Sequence, residues 1–196
     1  MTFCVPAASR LQLTLAVLKP DVVANPIVHS QIKHLILDHN FLLVKSRKLQ
    51  LSREKAREFY AEHREKFFYN RLVSYMTCGP ITAHIMARQD AIGMWRTLLG
   101  PTKVLRTVYL APNSIRGRFG LTDTRNCAHG SDSEETARRE IKFFFPDFDS
   151  ELWYATQEEQ FRLNNIEMLD FDKFEHSVVE PQENVLKFRE NKLCNM

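Results

Sequence analysis

Leu11, Leu13, Leu15 and Val17 alternate with Gln12, Thr14 and Ala16, and this period-2 run constrains the fold more than any other feature of the chain. A segment so spaced is a strand with one strongly buried face, which another layer must cover. Lys19-Pro20-Asp21 ends it. Pro26 then starts a segment with Ile27, Ile32, Leu35 and Ile36 on one helical face, closed by His39-Asn40 before Phe41-Leu42-Leu43-Val44 begins a second strand. Ser52-x-x-Lys55 predicts a helix through Tyr60, and Phe67 to Met76 a further helical stretch stopped at Cys78-Gly79-Pro80. Ile81 to Ala87 reads as a third strand and Asp90 to Leu99 as a helix ended by Gly100-Pro101. A long irregular segment, Thr102 to Thr124, leads to a short strand carrying His129, and Ser133 to Phe145 is helical.

This order, β-α-β-α-α-β-α-loop-β-α, predicts an α+β fold: an α/β sandwich built on the ferredoxin-like split βαβ arrangement, with a four-stranded antiparallel sheet covered by helices. The 196 residues are enough for one domain with a full core and a tail. After Pro146-Asp147-Phe148 the composition shifts: Gln157 to Met196 is rich in Glu, Asn, Gln and Lys, with scattered aromatics such as Phe161, Phe171, Phe174 and Phe188. Residues 1–10 thus read as an N-terminal extension, 11–154 as the domain, and 155–196 as a C-terminal tail, partly helical or disordered.

The net charge of +3 is spread along the chain without a long block of either sign, so charge does not require a nucleic-acid partner. Four cysteines, Cys4, Cys78, Cys127 and Cys194, stand far apart, form no C-x-x-C pair and have no histidines at zinc-ligand spacing; they read as reduced thiols of an intracellular protein. No apolar run approaches the roughly 20 residues that span a bilayer. The N-terminus lacks a secretory signal pattern, while Arg10 and the hydroxyls before it, with no acid before Asp21, suit a mitochondrial presequence. Since Leu11 to Leu18 is a core strand, such a signal would be very short or uncleaved, and mitochondrial and cytoplasmic settings both stand.

The chemistry centres on Arg125-Asn126-Cys127-Ala128-His129-Gly130-Ser131-Asp132, which sets a histidine between an amide and a small hydroxyl-bearing turn. Gly130 permits a sharp turn and close approach of a substrate, and Ser131 and Asp132 can hydrogen-bond local backbone. The helix that follows returns Glu140 to the same corner, where a carboxylate can accept one imidazole N–H and leave the other nitrogen as a free lone pair. A lone His-Gly is equally a turn at a strand-to-helix junction. From Gly100 through Arg125 there are five basic residues and one acid, Asp123, which fits either a solvated surface loop or a polyphosphate site. Arg96, Thr102 and Arg116 lie in or beside this stretch, and Asn126 can bind a hydroxyl or oxyanion. Lys19 emerges at the end of the first strand, either snorkelling at the surface or binding phosphate. Phe67-Phe68-Tyr69 cannot all face one side of a helix, so at least one is exposed or meets a ligand. The chain has no G-x-x-x-x-G-K-[ST], G-x-G-x-x-G or H-E-x-x-H motif, so any phosphates must be held by side chains.

Leu18-Lys19-Pro20-Asp21, Phe67-Phe68, Gly79-Pro80, Trp95-Arg96-x-Leu98-Leu99-Gly100-x-Thr102, Ser114-Ile115-Arg116-Gly117-x-Phe119 and Arg125-Asn126-x-x-His129-Gly130-Ser131-Asp132-Ser133 run in the order, and nearly the spacing, of one enzyme family. Over about residues 11–154 the chain resembles the nucleoside diphosphate kinases, and their divergent group most. The resemblance implies a ping-pong phosphoryl exchange from a nucleoside triphosphate such as ATP to a nucleoside diphosphate. His129 would become phosphorylated on Nδ1 while Glu140 accepts a hydrogen bond from the other nitrogen and Ser131 steadies Glu140. Lys19, Tyr60 and Asn126 would lie close to the transferred phosphate and the ribose hydroxyl; Arg96, Thr102 and Arg116 would grip the diphosphate, with Mg²⁺ bound through its oxygens rather than by a protein metal site. Phe68 would stack on the base.

Two departures bear on function. Asp123 stands where the family usually has an apolar residue opposite Phe68, which implies weaker base binding. The loop between Thr102 and Arg116 is longer than in the common cytosolic members, and with the tail it disfavours the hexameric assembly in which this loop packs between subunits. Oligomeric state therefore stays open. A second reading follows: a weakly active or inactive nucleotide-binding interaction module that acts through a protein partner held by the tail or the longer loop.

Overall fold

A computed structural model describes residues 10–179. Four strands, β1 (Gln12–Leu18), β2 (Leu42–Leu49), β3 (Ile81–Arg88) and β4 (Ala128–Gly130), form one sheet in the order β2-β3-β1-β4. Every neighbouring pair is antiparallel. This is the ferredoxin-like sheet that the order of elements predicts. Ten α-helices accompany it among the described residues: α1 (Pro20–Val23), α2 (Pro26–Asp38), α3 (Arg53–Phe59), α4 (Tyr69–Met76), α5 (Ala91–Leu99), α6 (Val104–Leu110), α7 (Ile115–Phe119), α8 (Glu134–Phe144), α9 (Ser150–Thr156) and α10 (Glu158–Arg162). Several start where local side chains cap them. Asn25 accepts from Ile27 N and Val28 N, Ser52 from Lys55 N, and Ser133 from Thr136 N. Each satisfies an orphan N–H of the first turn, worth about 1 kcal/mol.

Central β1 is buried on both faces. Leu13, Leu15 and Val17 enter a core with α4, α8 and α9, while Ala16 and Leu18 enter a second core with α2 and α5. The alternation predicted one buried face, because the second-face residues Thr14 and Ala16 are small or polar. They are small because helices press on that side too; both are fully buried.

The segment expected to be irregular, Thr102 to Thr124, contains α6 and α7. Neither has an extended amphipathic period. The start of α6 is set instead by Asp123 Oδ1, which accepts a hydrogen bond from Val104 N at 2.9 Å across nineteen residues of sequence. The chain beyond Tyr154, expected as an appended tail, docks on the domain as far as residue 179. The boundary at 154 falls inside α9, Phe161 and Phe174 are buried, and only residues 1–9 and 180–196 of the two extensions lie outside the described residues. Among the described residues no helix is long and apolar enough to cross a membrane.

Candidate active site

Pairing of β4 with β1 sets His129 opposite Val17, at the end of the central strand. Trp95 Nε1 donates to His129 O at 3.2 Å, and a Cβ on Gly130 would stand 2.4 Å from Trp95 Cδ1, so only glycine lets the indole reach the backbone. His129 Nε2 lies 2.9 Å from Glu140 Oε1, and the carboxylate is 4% exposed. Since an ionised carboxylate can only accept, the proton sits on Nε2 and Nδ1 carries the lone pair. Ser131 Oγ donates to Glu140 Oε2 at 2.6 Å. Both carboxylate oxygens are thus occupied, and the imidazole is pinned through α8. Cys127, two residues earlier, has φ 71°, a left-handed conformation that turns the chain into β4.

Lys19 is not a surface lysine. It is 5% exposed, and Nζ donates to Asn126 Oδ1 at 2.6 Å and to Thr124 O at 3.2 Å, so one of three N–H groups remains for a ligand. Burial, with the Arg116 charge second, holds its pKa down to about 7. Arg116 donates to three carbonyls, Gly100 O at 2.7 Å, Ala128 O at 3.0 Å and Asn126 O at 3.3 Å. It ties the end of α5 to the histidine loop and keeps two of its five N–H groups. Burial lowers its pKa to about 10. The Tyr60 hydroxyl is buried without a hydrogen-bond partner, and its pKa is raised, first by burial and then by Glu140. An unpaired buried hydroxyl at a cavity wall is a group waiting for a ligand.

These side chains converge on one cavity of about 1010 Å³. Lys19, Tyr60, Phe68, Arg96, Thr102, Arg116, Asn126, His129 and Glu140 all line it. Ser131, the tenth residue singled out from the sequence, is fully buried behind Glu140. The three adjacent aromatics divide as their spacing requires: Phe67 is 92% exposed, Phe68 is half-buried on the cavity wall, and Tyr69 is buried. Asp123 is on the wall as well. Sequence reasoning passed over Arg71 and Lys103, which raise the cations of the lining, with Lys19, Arg96 and Arg116, to five. It also passed over the support given by Trp95, because an indole on an amphipathic helix has no mark that separates it from core. Among the described residues no group of three His, Cys, Asp or Glu side chains is gathered to hold a metal ion. The Lys and Arg side chains of the lining suit phosphate oxygens, through which a nucleotide would bring its own cation.

The nucleoside diphosphate kinase family model matches residues 12–150. The chain is 54% identical over 162 residues to nucleoside diphosphate kinase 6 of Mus musculus, spanning 83% of this chain and 86% of that protein. It is 54% identical over 152 residues to the Homo sapiens protein of the same name, spanning 78% and 82%. Among solved structures, the Aquifex aeolicus nucleoside diphosphate kinase superposes with a TM-score of 0.66 at 36% identity, over 69% of this chain and 95% of that one. A halophilic nucleoside diphosphate kinase from Halobacterium salinarum, solved in complex with CDP, gives 0.64 at 32% identity, over 73% and 97%. Sequence blocks, sheet order and these likenesses agree over the same residues, and the chain belongs to the nucleoside diphosphate kinase family.

Proposed function

We propose that the protein is an active nucleoside diphosphate kinase, moving the terminal phosphate of a nucleoside triphosphate such as ATP to a nucleoside diphosphate by a ping-pong route through phosphorylated His129. The observation that carries this reading is the imidazole: Nε2 is fixed by Glu140, which is itself fixed by Ser131, at the wall of a cavity whose lining holds five cations. In the first half-reaction the Nδ1 lone pair attacks the terminal phosphorus. The bond to the bridging oxygen breaks, and its electron pair leaves with the nucleoside diphosphate. Positive charge develops on the ring and is balanced by Glu140. In the second half the terminal oxygen of an incoming nucleoside diphosphate attacks the phosphohistidine, and the P–N electron pair returns to Nδ1. Bonds broken and made are alike, so concentrations set the direction.

Lys19 neutralises charge on the moving phosphoryl group, and the Tyr60 hydroxyl and Asn126 amide donate to it or to the ribose. Arg96, Thr102 and Arg116 hold the diphosphate, and Phe68 offers a face to the base. Mg²⁺, bound with the nucleotide, supplies further neutralisation of its phosphate oxygens. The CDP complex of the Halobacterium salinarum protein supports reading the cavity as a nucleotide site. Free thiols at Cys78 and Cys127 suit an intracellular setting, mitochondrial or cytoplasmic.

Purified protein incubated with labelled ATP and Mg²⁺ is expected to give an acid-labile, base-stable phosphoenzyme that passes its label to GDP, whereas His129→Ala gives none. Nucleotide binding without label would overturn the kinase reading in favour of an interaction module. One feature favours that second reading: α6 exposes Leu105, Tyr109 and Leu110, an apolar outer surface on the loop that is longer than usual.

A further inference from the structure

The side-chain contacts of the His129 ring come from two directions. Glu140 takes Nε2, and the Phe59 ring stands edge-to-face against the imidazole, with centroids 5.3 Å apart at 78°. A single hydrogen bond leaves an imidazole free to swing about the bond axis; a second contact on the ring removes that freedom. Phe59 is the last residue of α3, and Tyr60, the next one, lines the nucleotide cavity. The helix end therefore delivers one aromatic to the nucleophile and one to the substrate space.

Phe59 is in turn packed against Phe143 at 5.2 Å and Phe144 at 4.9 Å. Glu140, Phe143 and Phe144 share one face of α8 at i, i+3 and i+4. The same helix thus holds the imidazole twice, through its carboxylate directly and through its phenylalanines by way of Phe59. We propose that Phe59 is a positioning residue for the nucleophile: with Glu140 it fixes the plane of the His129 imidazole, so that Nδ1 meets the terminal phosphorus in line. This rests on the kinase reading above. A misplacement of about 1 Å at a reacting atom costs on the order of a hundredfold in rate without weakening binding.

The test compares Phe59→Leu, which keeps apolar bulk and loses the ring, with Phe59→Tyr, which keeps the ring. Phe59 is half-buried and borders an open groove of about 790 Å³ between α3 and α8, so a hydroxyl has room. Single-turnover phosphorylation by ATP is expected to slow at least about tenfold in Phe59→Leu, with equilibrium ADP affinity within about twofold of wild type, and to return in Phe59→Tyr. Rate and affinity falling together would overturn the proposal, as would a Phe59→Tyr protein no faster than Phe59→Leu, or a Phe59→Leu protein as fast as wild type. The ¹⁵N shifts of the His129 ring, read without nucleotide, separate this proposal from the kinase reading. A wild type that forms no phosphoenzyme refutes the kinase. A single Nε2–H tautomer that becomes mixed in Phe59→Leu but not in Phe59→Tyr still establishes the positioning, and an unchanged tautomer in Phe59→Leu refutes it.

Discussion

Lys19 leaves the buried end of β1 with its ammonium held by Asn126 and Thr124, and burial brings its pKa to about 7. Without ligand the group therefore loses its proton as pH rises through 7. A polyphosphate binds the charged form, so nucleotide binding takes up a proton above that pH, and affinity falls by as much as about tenfold per unit. Titration calorimetry of ADP with Mg²⁺ between pH 6.5 and 8.5, in two buffers of different ionisation heat, is expected to show this uptake in wild type and its loss in Lys19→Met. Equal proton exchange in both proteins would mean that Lys19 stays charged throughout. The same depressed pKa has a consequence for folding. Between pH 7 and the unfolded value of 10.5 the unfolded chain holds the extra proton, so this group contributes increasing stability as pH rises across that window.

At the scale of elements, α6 shows how a cavity wall is built from a residue that has two duties. Asp123 caps Val104 N and also faces the cavity. Asp123→Asn keeps the acceptor and removes the charge; Asp123→Val removes both. Fluorescence titration with ADP is expected to show tighter binding in both variants, since a negative group beside the nucleotide is gone. Urea unfolding is expected to show about 1 kcal/mol lost only in Asp123→Val, through the missing cap. Unchanged affinity in both would mean that the charge does not reach the nucleotide. This double duty also explains what could be read from the sequence. Long elements with local caps, such as α2 behind Asn25-Pro26 and α8 behind Ser133, are legible from spacing alone. α6 is not, because its cap comes from the far end of the loop. Within the site Lys19, Arg96, Asn126 and His129 stood out as candidates, because they have no place in a periodic core. Phe59 and Trp95 did not, since an aromatic ring at a core position carries no sequence mark of the contact it makes with His129.

Across the whole molecule, side chains outside the strands meet both edges of the sheet, and most of them come from the chain beyond α8. Since β4 has only three residues, it leaves N–H groups of the first-strand region unpaired. Leu15 N donates to Ser131 Oγ at 3.4 Å, Leu13 N to the Tyr154 hydroxyl at 3.1 Å and Leu11 N to Glu158 Oε1 at 2.8 Å. At the opposite edge Leu43 N donates to His176 Nδ1 at 3.0 Å, His176 N to Leu43 O at 2.8 Å and Ser46 N to Glu175 Oε1 at 2.6 Å. Exposed strand edges template pairing with other chains, so this cover is a protective device. Phe174 anchors it in a left-handed conformation, φ 58°, which costs about 1–2 kcal/mol and is offset by burial of the ring under Lys33 and against His84. His84 lies beneath, its Nδ1 2.7 Å from Ser46 Oγ, which donates to Phe174 O at 2.7 Å. Burial holds its pKa down at about 3, with His29 and Lys33 adding to the shift, and burial lowers His29 and His176 as well. Burial thus disfavours charge on all three rings when the segment is docked. A base with a depressed folded pKa contributes stability that is complete above the unfolded value near 6.5 and is lost as pH falls below it. Unfolding free energy is therefore expected to drop between pH 6.5 and 4.5 with a slope of up to about 1.4 kcal/mol per unit from His84 alone. Hydrogen exchange at Leu43 and Ser46 should rise over the same interval before the rest of the sheet opens, because their partners are side chains of the docked segment. If those amides stayed as protected at pH 4.5 as at 7, the segment would be held by Phe174 burial alone, and the histidines would be bystanders in the edge they line.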